Sequence, residues 1–115
     1  MRERGGGWPW LLQRITALYL VMGLCVHFFV LHFLTERPVT IQKVFERLQS
    51  PGWFVFDALL LASAVYHALN GVFNIVADYQ PGPKVRYGVG LTLWIIGLLT
   101  LTIGLRILGP MMKAA

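Results

Sequence analysis

The residues able to do chemistry concentrate on one helical face. At 3.6 residues per turn, Leu60, Ser63, Ala64, His67, Asn70, Gly71, Asn74 and Asp78 share a single stripe. The stripe is polar or small, and His67 sits near its middle, with Ser63 and Gly71 one turn to either side. Small neighbours leave room for a flat ring system against the backbone, and neutral imidazole is an axial ligand for haem iron. The same pattern also describes helix packing through small residues, with His67 bonded across to a neighbouring helix. Asp78 and Tyr79 close the stripe, and eleven helical residues put Asp78 about 16 Å from His67. A phenol there can donate a hydrogen bond to a carbonyl oxygen while a nearby carboxylate relays protons. An interfacial tyrosine beside a solvated carboxylate is the simpler alternative.

A second set lies upstream: Arg14, His27 and His32. Five residues separate the two histidines, so they point roughly 140° apart and cannot both serve one ring. Gly23, one turn before His27, leaves a gap on that face. Packing or hydrogen bonding is the plainer role for a membrane histidine, and snorkelling is the plainer role for Arg14. His32, two residues from the end of its apolar run, belongs to the interface.

The elements that must position these residues are membrane spans. Of 115 residues, 57% are hydrophobic and only 13% charged, whereas soluble domains run near 25% charged. A soluble enzyme with its own cleft is excluded on that ground. Three apolar runs, 15–34, 53–77 and 87–105, are each long enough to cross a bilayer core of about 30 Å. With flanks, the expected spans are about 10–34, 53–79 and 86–108 within one domain, 1–115. The first run is longer than a signal-peptide core and lacks a cleavage site, so it reads as retained. Between the first two runs, Ile41, Val44, Phe45 and Leu48 oppose Lys43, Glu46 and Arg47, the pattern of a short interfacial helix. Pro81, Gly82 and Pro83 predict a tight turn before the third span. Gly90, Gly97 and Gly104 recur every seven residues, a stripe suited to close helix packing.

Charge neither orients the chain nor suggests nucleic acid. The net charge of +5 comes from ten basic residues spread over several segments, as suits loops beside anionic lipid headgroups. Arg2, Arg4, Arg14, Lys84 and Arg86 fall on one side, and Arg37, Lys43, Arg47, Arg106 and Lys113 on the other. The positive-inside rule gives a tie. The single Cys25 excludes an internal disulfide and a multi-cysteine metal cluster.

The run HALNGVFNIVADY, residues 67–79, resembles the second helix of the small hydrophobic membrane anchor of succinate dehydrogenase (respiratory complex II). In that family a histidine begins an H-x-x-x-G turn, and an Asp-Tyr pair follows eleven and twelve residues later, as His67, Gly71, Asp78 and Tyr79 do here. The run LLQRITALYLVMGLCVH, residues 11–27, is similar to the family's first helix, and the SPGW turn before the second span fits as well. The similarity covers about residues 10–106.

The resemblance implies an all-α membrane protein of three transmembrane helices with a short interfacial helix, its N terminus on the cytoplasmic side of a prokaryotic plasma membrane. This is half of a bundle completed by a second membrane-anchor subunit, also of three helices. Together the two would hold haem b and a quinone site beneath an iron–sulfur subunit and a flavoprotein subunit. It implies His67 as one axial ligand, Tyr79 as a quinone contact with Asp78 beside it, and Arg14 as the partner of a haem propionate. Relatives with two stacked haems carry a histidine thirteen residues after the arginine of a QR-x-T opening. Gln13, Arg14, Thr16 and His27 match that spacing, which makes His27 a ligand of a second haem, roughly 10 Å nearer the outer face than His67. Two haems suit a low-potential quinone such as menaquinone. The rival readings are a cytochrome b anchor of another membrane oxidoreductase and a cofactor-free scaffold.

Overall fold

The computed structural model describes the backbone of residues 7–113 and side chains through residue 110. Arg2, Arg4 and the side chain of Lys113, used in the charge comparison, lie outside the described residues. Four α-helices follow in order: α1 (Gly7–Phe29), α2 (Ile41–Leu48), α3 (Pro51–Asp78) and α4 (Pro83–Lys113). A π-helical turn, Val30–Leu34, extends α1. It ends at Thr35, whose amide and hydroxyl both donate to the Val30 carbonyl at 2.9 Å. Segments 7–34, 51–78 and 83–110 are each 28 residues long and apolar enough to cross a membrane. Each measures about 42 Å at 1.5 Å per residue.

Local chemistry sets the helix ends. Thr40 caps α2 by accepting from the Lys43 amide, and Lys43 Nζ closes the preceding loop by donating to the Glu36 carbonyl at 2.6 Å. Pro51 occupies the first turn of α3 behind an extended Ser50, where a missing N–H costs nothing. The turn after α3 differs from expectation in its pivot. Gln80, at φ 52°, takes the left-handed conformation, and Gly82 does not. The reversal falls on Gln80, the residue before Pro81.

Helix α3 is the centre, with α1 and α4 packed on opposite sides. The outward surface is overwhelmingly apolar. Leu18, Val21, Leu98 and Leu99 are all more than half exposed, whereas Leu48, Leu60 and Thr16 are buried. Such a surface needs lipid or another apolar chain against it. The 53 Å long axis exceeds a bilayer with its headgroups, about 40–45 Å.

The spacing in α2 correctly predicts an amphipathic helix. Leu48 is 1% exposed, packed at the far end of the bundle where α2 meets α3 and α4. Arg47, on the polar side of the pattern, turns inward to Asp57 instead of reaching solvent.

Candidate functional site

The polar stripe of α3 faces α1, and an antiparallel register pairs them residue by residue. Gln13 lies against Asn70, Thr16 against His67, Gly23 against Leu60 and His27 against Asp57. Near the N-terminal end of the bundle, Gln13 Nε2 donates to the His67 carbonyl at 3.3 Å. Asn70 Nδ2 donates to Gln13 Oε1 at 2.7 Å and to the Pro9 carbonyl at 3.5 Å. These bonds lock the α1–α3 register around His67.

Thr16 decides how the His67 ring is held. Its hydroxyl lies 2.7 Å from the Leu12 carbonyl, 3.1 Å from that of Gln13 and 3.2 Å from His67 Nδ1. The hydroxyl has one proton, and the carbonyls of its own preceding turn take it. The oxygen lone pair then accepts from Nδ1–H, which assigns the proton to Nδ1 and leaves a lone pair on Nε2. Metal-binding imidazoles are commonly held this way, with the second ring nitrogen fixed by a protein acceptor.

The two glycines expected to leave ring-sized gaps do not. A Cβ on Gly71 would meet Gln13 Nε2 at 3.5 Å, and one on Gly23 would meet Leu60 Cδ1 at 2.9 Å. Helix approach fills both spaces with side chains of the opposite helix.

The far end of the same seam carries a second polar cluster. Arg47 Nη2 donates to Asp57 Oδ2 at 2.5 Å, and its guanidinium lies 5.3 Å from the Trp53 ring centre. Asp57 Oδ1 is 3.5 Å from His27 Nδ1, within ion-pair range but without hydrogen-bond geometry. His27 is level with Asp57, ten residues before His67 on α3. That separates the two histidines along the bundle by about 15 Å, more than the 10 Å expected from span ends. His32 is apart from both: its Nδ1 donates to the Phe28 carbonyl at 3.1 Å, and the ring stacks on Phe28.

Tyr79 and Asp78 sit where spacing puts them, at the end of α3 and remote from His67. Tyr79 is 84% exposed. Arg14 is exposed and lies over the Trp10 ring, 4.3 Å from its centre. It points away from the Gln13–Thr16 face, although all three belong to one QR-x-T motif. An open groove of about 680 Å³ between α3 and α4 is lined in part by Phe73, Arg86 and Trp94 and includes neither histidine.

Sequence reasoning missed Thr16, Gln13, Asp57 and Arg47 as partners. A signal existed for three of them. Asp57 extends the His67 stripe by one turn beyond Leu60, and Gln13, Thr16, Gly23 and His27 recur at helical spacing on α1.

These features define a polytopic helical membrane protein with a polar seam between α1 and α3 and an outer surface rich in exposed apolar side chains. The family model for the succinate dehydrogenase/fumarate reductase transmembrane subunit matches residues 1–107, and the chain belongs to that family. It is a membrane-anchor subunit of the succinate dehydrogenase enzyme complex. The succinate dehydrogenase hydrophobic membrane anchor subunit of Thermoplasma acidophilum is 32% identical over 93 residues, 80% of this chain and 76% of that protein. The protein of the same name in Archaeoglobus fulgidus is 32% identical over 99 residues, 86% and 85% of the two chains. The succinate dehydrogenase 2 membrane subunit SdhC of Mycobacterium tuberculosis is 32% identical over 93 residues, 80% and 66% of the two chains.

Proposed function

We propose that this membrane anchor holds haem b through His67 and contributes Tyr79 to the quinone site. The observation that carries the reading is the Thr16–His67 contact of 3.2 Å, which fixes the ring through Nδ1 and turns Nε2 into the available ligand nitrogen. When bound, the haem would supply a one-electron carrier. His67 would hold the iron from α3, beside the second membrane-anchor subunit. His27 holds a second haem about 15 Å away along the bundle. Arg14 stands at the N-terminal end, free to swing from Trp10 to a propionate. Tyr79, exposed on the end of α3, donates its phenolic hydrogen to a quinone carbonyl, and Asp78 beside it handles protons. The iron–sulfur and flavoprotein subunits supply the electrons, and menaquinone is the quinone that a two-haem anchor suits.

Haem content tests the ligand assignment. The purified complex should contain two haems b per flavin, and a ratio near one would return His27 to a packing role. Tyr79→Phe should slow quinone reduction while leaving succinate oxidation by artificial acceptors intact. Equal loss in both assays would contradict a quinone role for Tyr79.

A further inference from the structure

The Arg47–Asp57–His27 cluster has more buried polarity than packing requires. Asp57 and Arg47 side chains are 10% and 13% exposed, in a seam between apolar helices. Ionisable groups there are costly unless they serve a purpose. Their bonding is incomplete: His27 Nδ1, Asp57 Oδ1, Arg47 Nε and Arg47 Nη1 are all buried without a hydrogen-bond partner. Two of these orphans, His27 Nδ1 and Asp57 Oδ1, face each other at 3.5 Å. A small rotation of the imidazole would turn that approach into a hydrogen bond, and a ligand fixing the far side of the ring would supply the constraint.

We propose that Asp57 is the positioning residue for His27, accepting its Nδ1–H so that Nε2 faces an iron, with Arg47 clamping the carboxylate. The proposal rests on the reading that His27 ligates a second haem. It explains why Asp57, the one acid within the apolar run 53–77, lies level with His27. It also explains why α2 folds Arg47 inward when its pattern would allow solvent. Asp57 holds His27 as Thr16 holds His67, but with an anionic acceptor in place of a neutral hydroxyl. An anion on Nδ1–H raises imidazole basicity and favours the oxidised iron. The haem on His27 should therefore have a lower midpoint potential than it would with a neutral acceptor.

Optical redox titration of the purified whole complex tests this, using wild type, His27→Ala, Asp57→Asn and the charge-neutral double variant Arg47→Gln/Asp57→Asn. The double variant leaves no lone buried charge, so it keeps the test open if Asp57→Asn alone fails to assemble. His27→Ala should remove one of the two b-type signals. In the Asp57→Asn variants that same signal should remain and move to higher potential, with a tenfold or greater change in oxidised-to-reduced ratio at fixed ambient potential. For a one-electron couple that is 59 mV. The other signal should not move. Should His27→Ala remove a signal while the Asp57→Asn variants leave its potential unchanged, the positioning role is wrong and the ligand stands. Retention of both signals in His27→Ala overturns the ligand reading and the positioning role with it.

Discussion

Helix α3 meets its two neighbours through opposite chemistries. Towards α1 it presents His67, Asn70 and Asp57, each against a polar group of the first span or of α2. Towards α4 it presents Leu61, Val65, Leu69 and Phe73, which enter the spaces left by Gly104, Gly97 and Gly90. In lipid, apolar side chains gain little by leaving one hydrocarbon environment for another, so association relies on close packing and hydrogen bonds. This molecule separates the two devices. The α3–α4 seam packs side chains into glycine spaces, with Arg86 over the Phe73 ring at one end, and the α1–α3 seam uses directional bonds, which fix register and ring orientation. A cofactor ligand needs the second kind of seam, because packing tolerates small rotations that a metal–nitrogen bond does not.

The largest effect should come from filling the shape-based seam. A Cβ on Gly104 already overlaps Leu61 Cδ2, and one on Gly97 falls 2.6 Å from Leu69 Cδ1. Gly104→Leu should destabilise the bundle by about 3 kcal/mol, read as loss of intact complex on extraction from membranes. Recovery equal to wild type would show that α4 does not rely on this contact.

The directional seam should respond more gently and more specifically. Thr16→Val keeps the volume but strips the acceptor from His67 Nδ1, at a cost of about 1–3 kcal/mol. The haem band should lose thermal stability, and Thr16→Ser should restore it. A valine variant indistinguishable from wild type would remove Thr16 from the ring's support. Asn70→Ala, which breaks the bonds to Gln13 and Pro9, should cost about 0.6 kcal/mol. Combined with Gln13→Ala it should be less than additive, because the two share one contact. The smallest effect belongs to Gly90→Ala. Its Cβ would meet Phe73 Cε2 at 3.6 Å, an ordinary contact, so the thermal midpoint should reflect no more than about 0.5 kcal/mol. A large loss there would mean that the glycine seam is tight along its whole length.

The two seams were not equally legible in the sequence. Gly90, Gly97 and Gly104 announce the α4 contact by periodicity alone, since a glycine stripe needs only some helix to pack against. The stripe around His67 was equally visible, as were the three spans and the Asp78–Tyr79 ending. Which α1 residue faces His67 was not visible, because it depends on register between two antiparallel helices. A one-turn slip would bring Leu12 or Leu20 to the position that Thr16 takes. The same blindness misassigned the spaces beside Gly23 and Gly71, which helix approach fills with Leu60 and Gln13. Arg47 was misjudged for another reason. An amphipathic pattern assigns a polar side to α2, but not that a buried carboxylate will draw one arginine across it. Tyr79 was located by spacing, and it stands exposed at the end of α3.

The central claim is that His67 ligates haem b, and the reduced-minus-oxidised difference spectrum of the purified His67→Ala complex tests it most directly. The b-type signal per flavin should fall by the contribution of one haem, with the signal dependent on His27 left in place. An unchanged b-type signal in an assembled His67→Ala complex would contradict the claim and leave His67 as a hydrogen-bonded packing residue against Thr16.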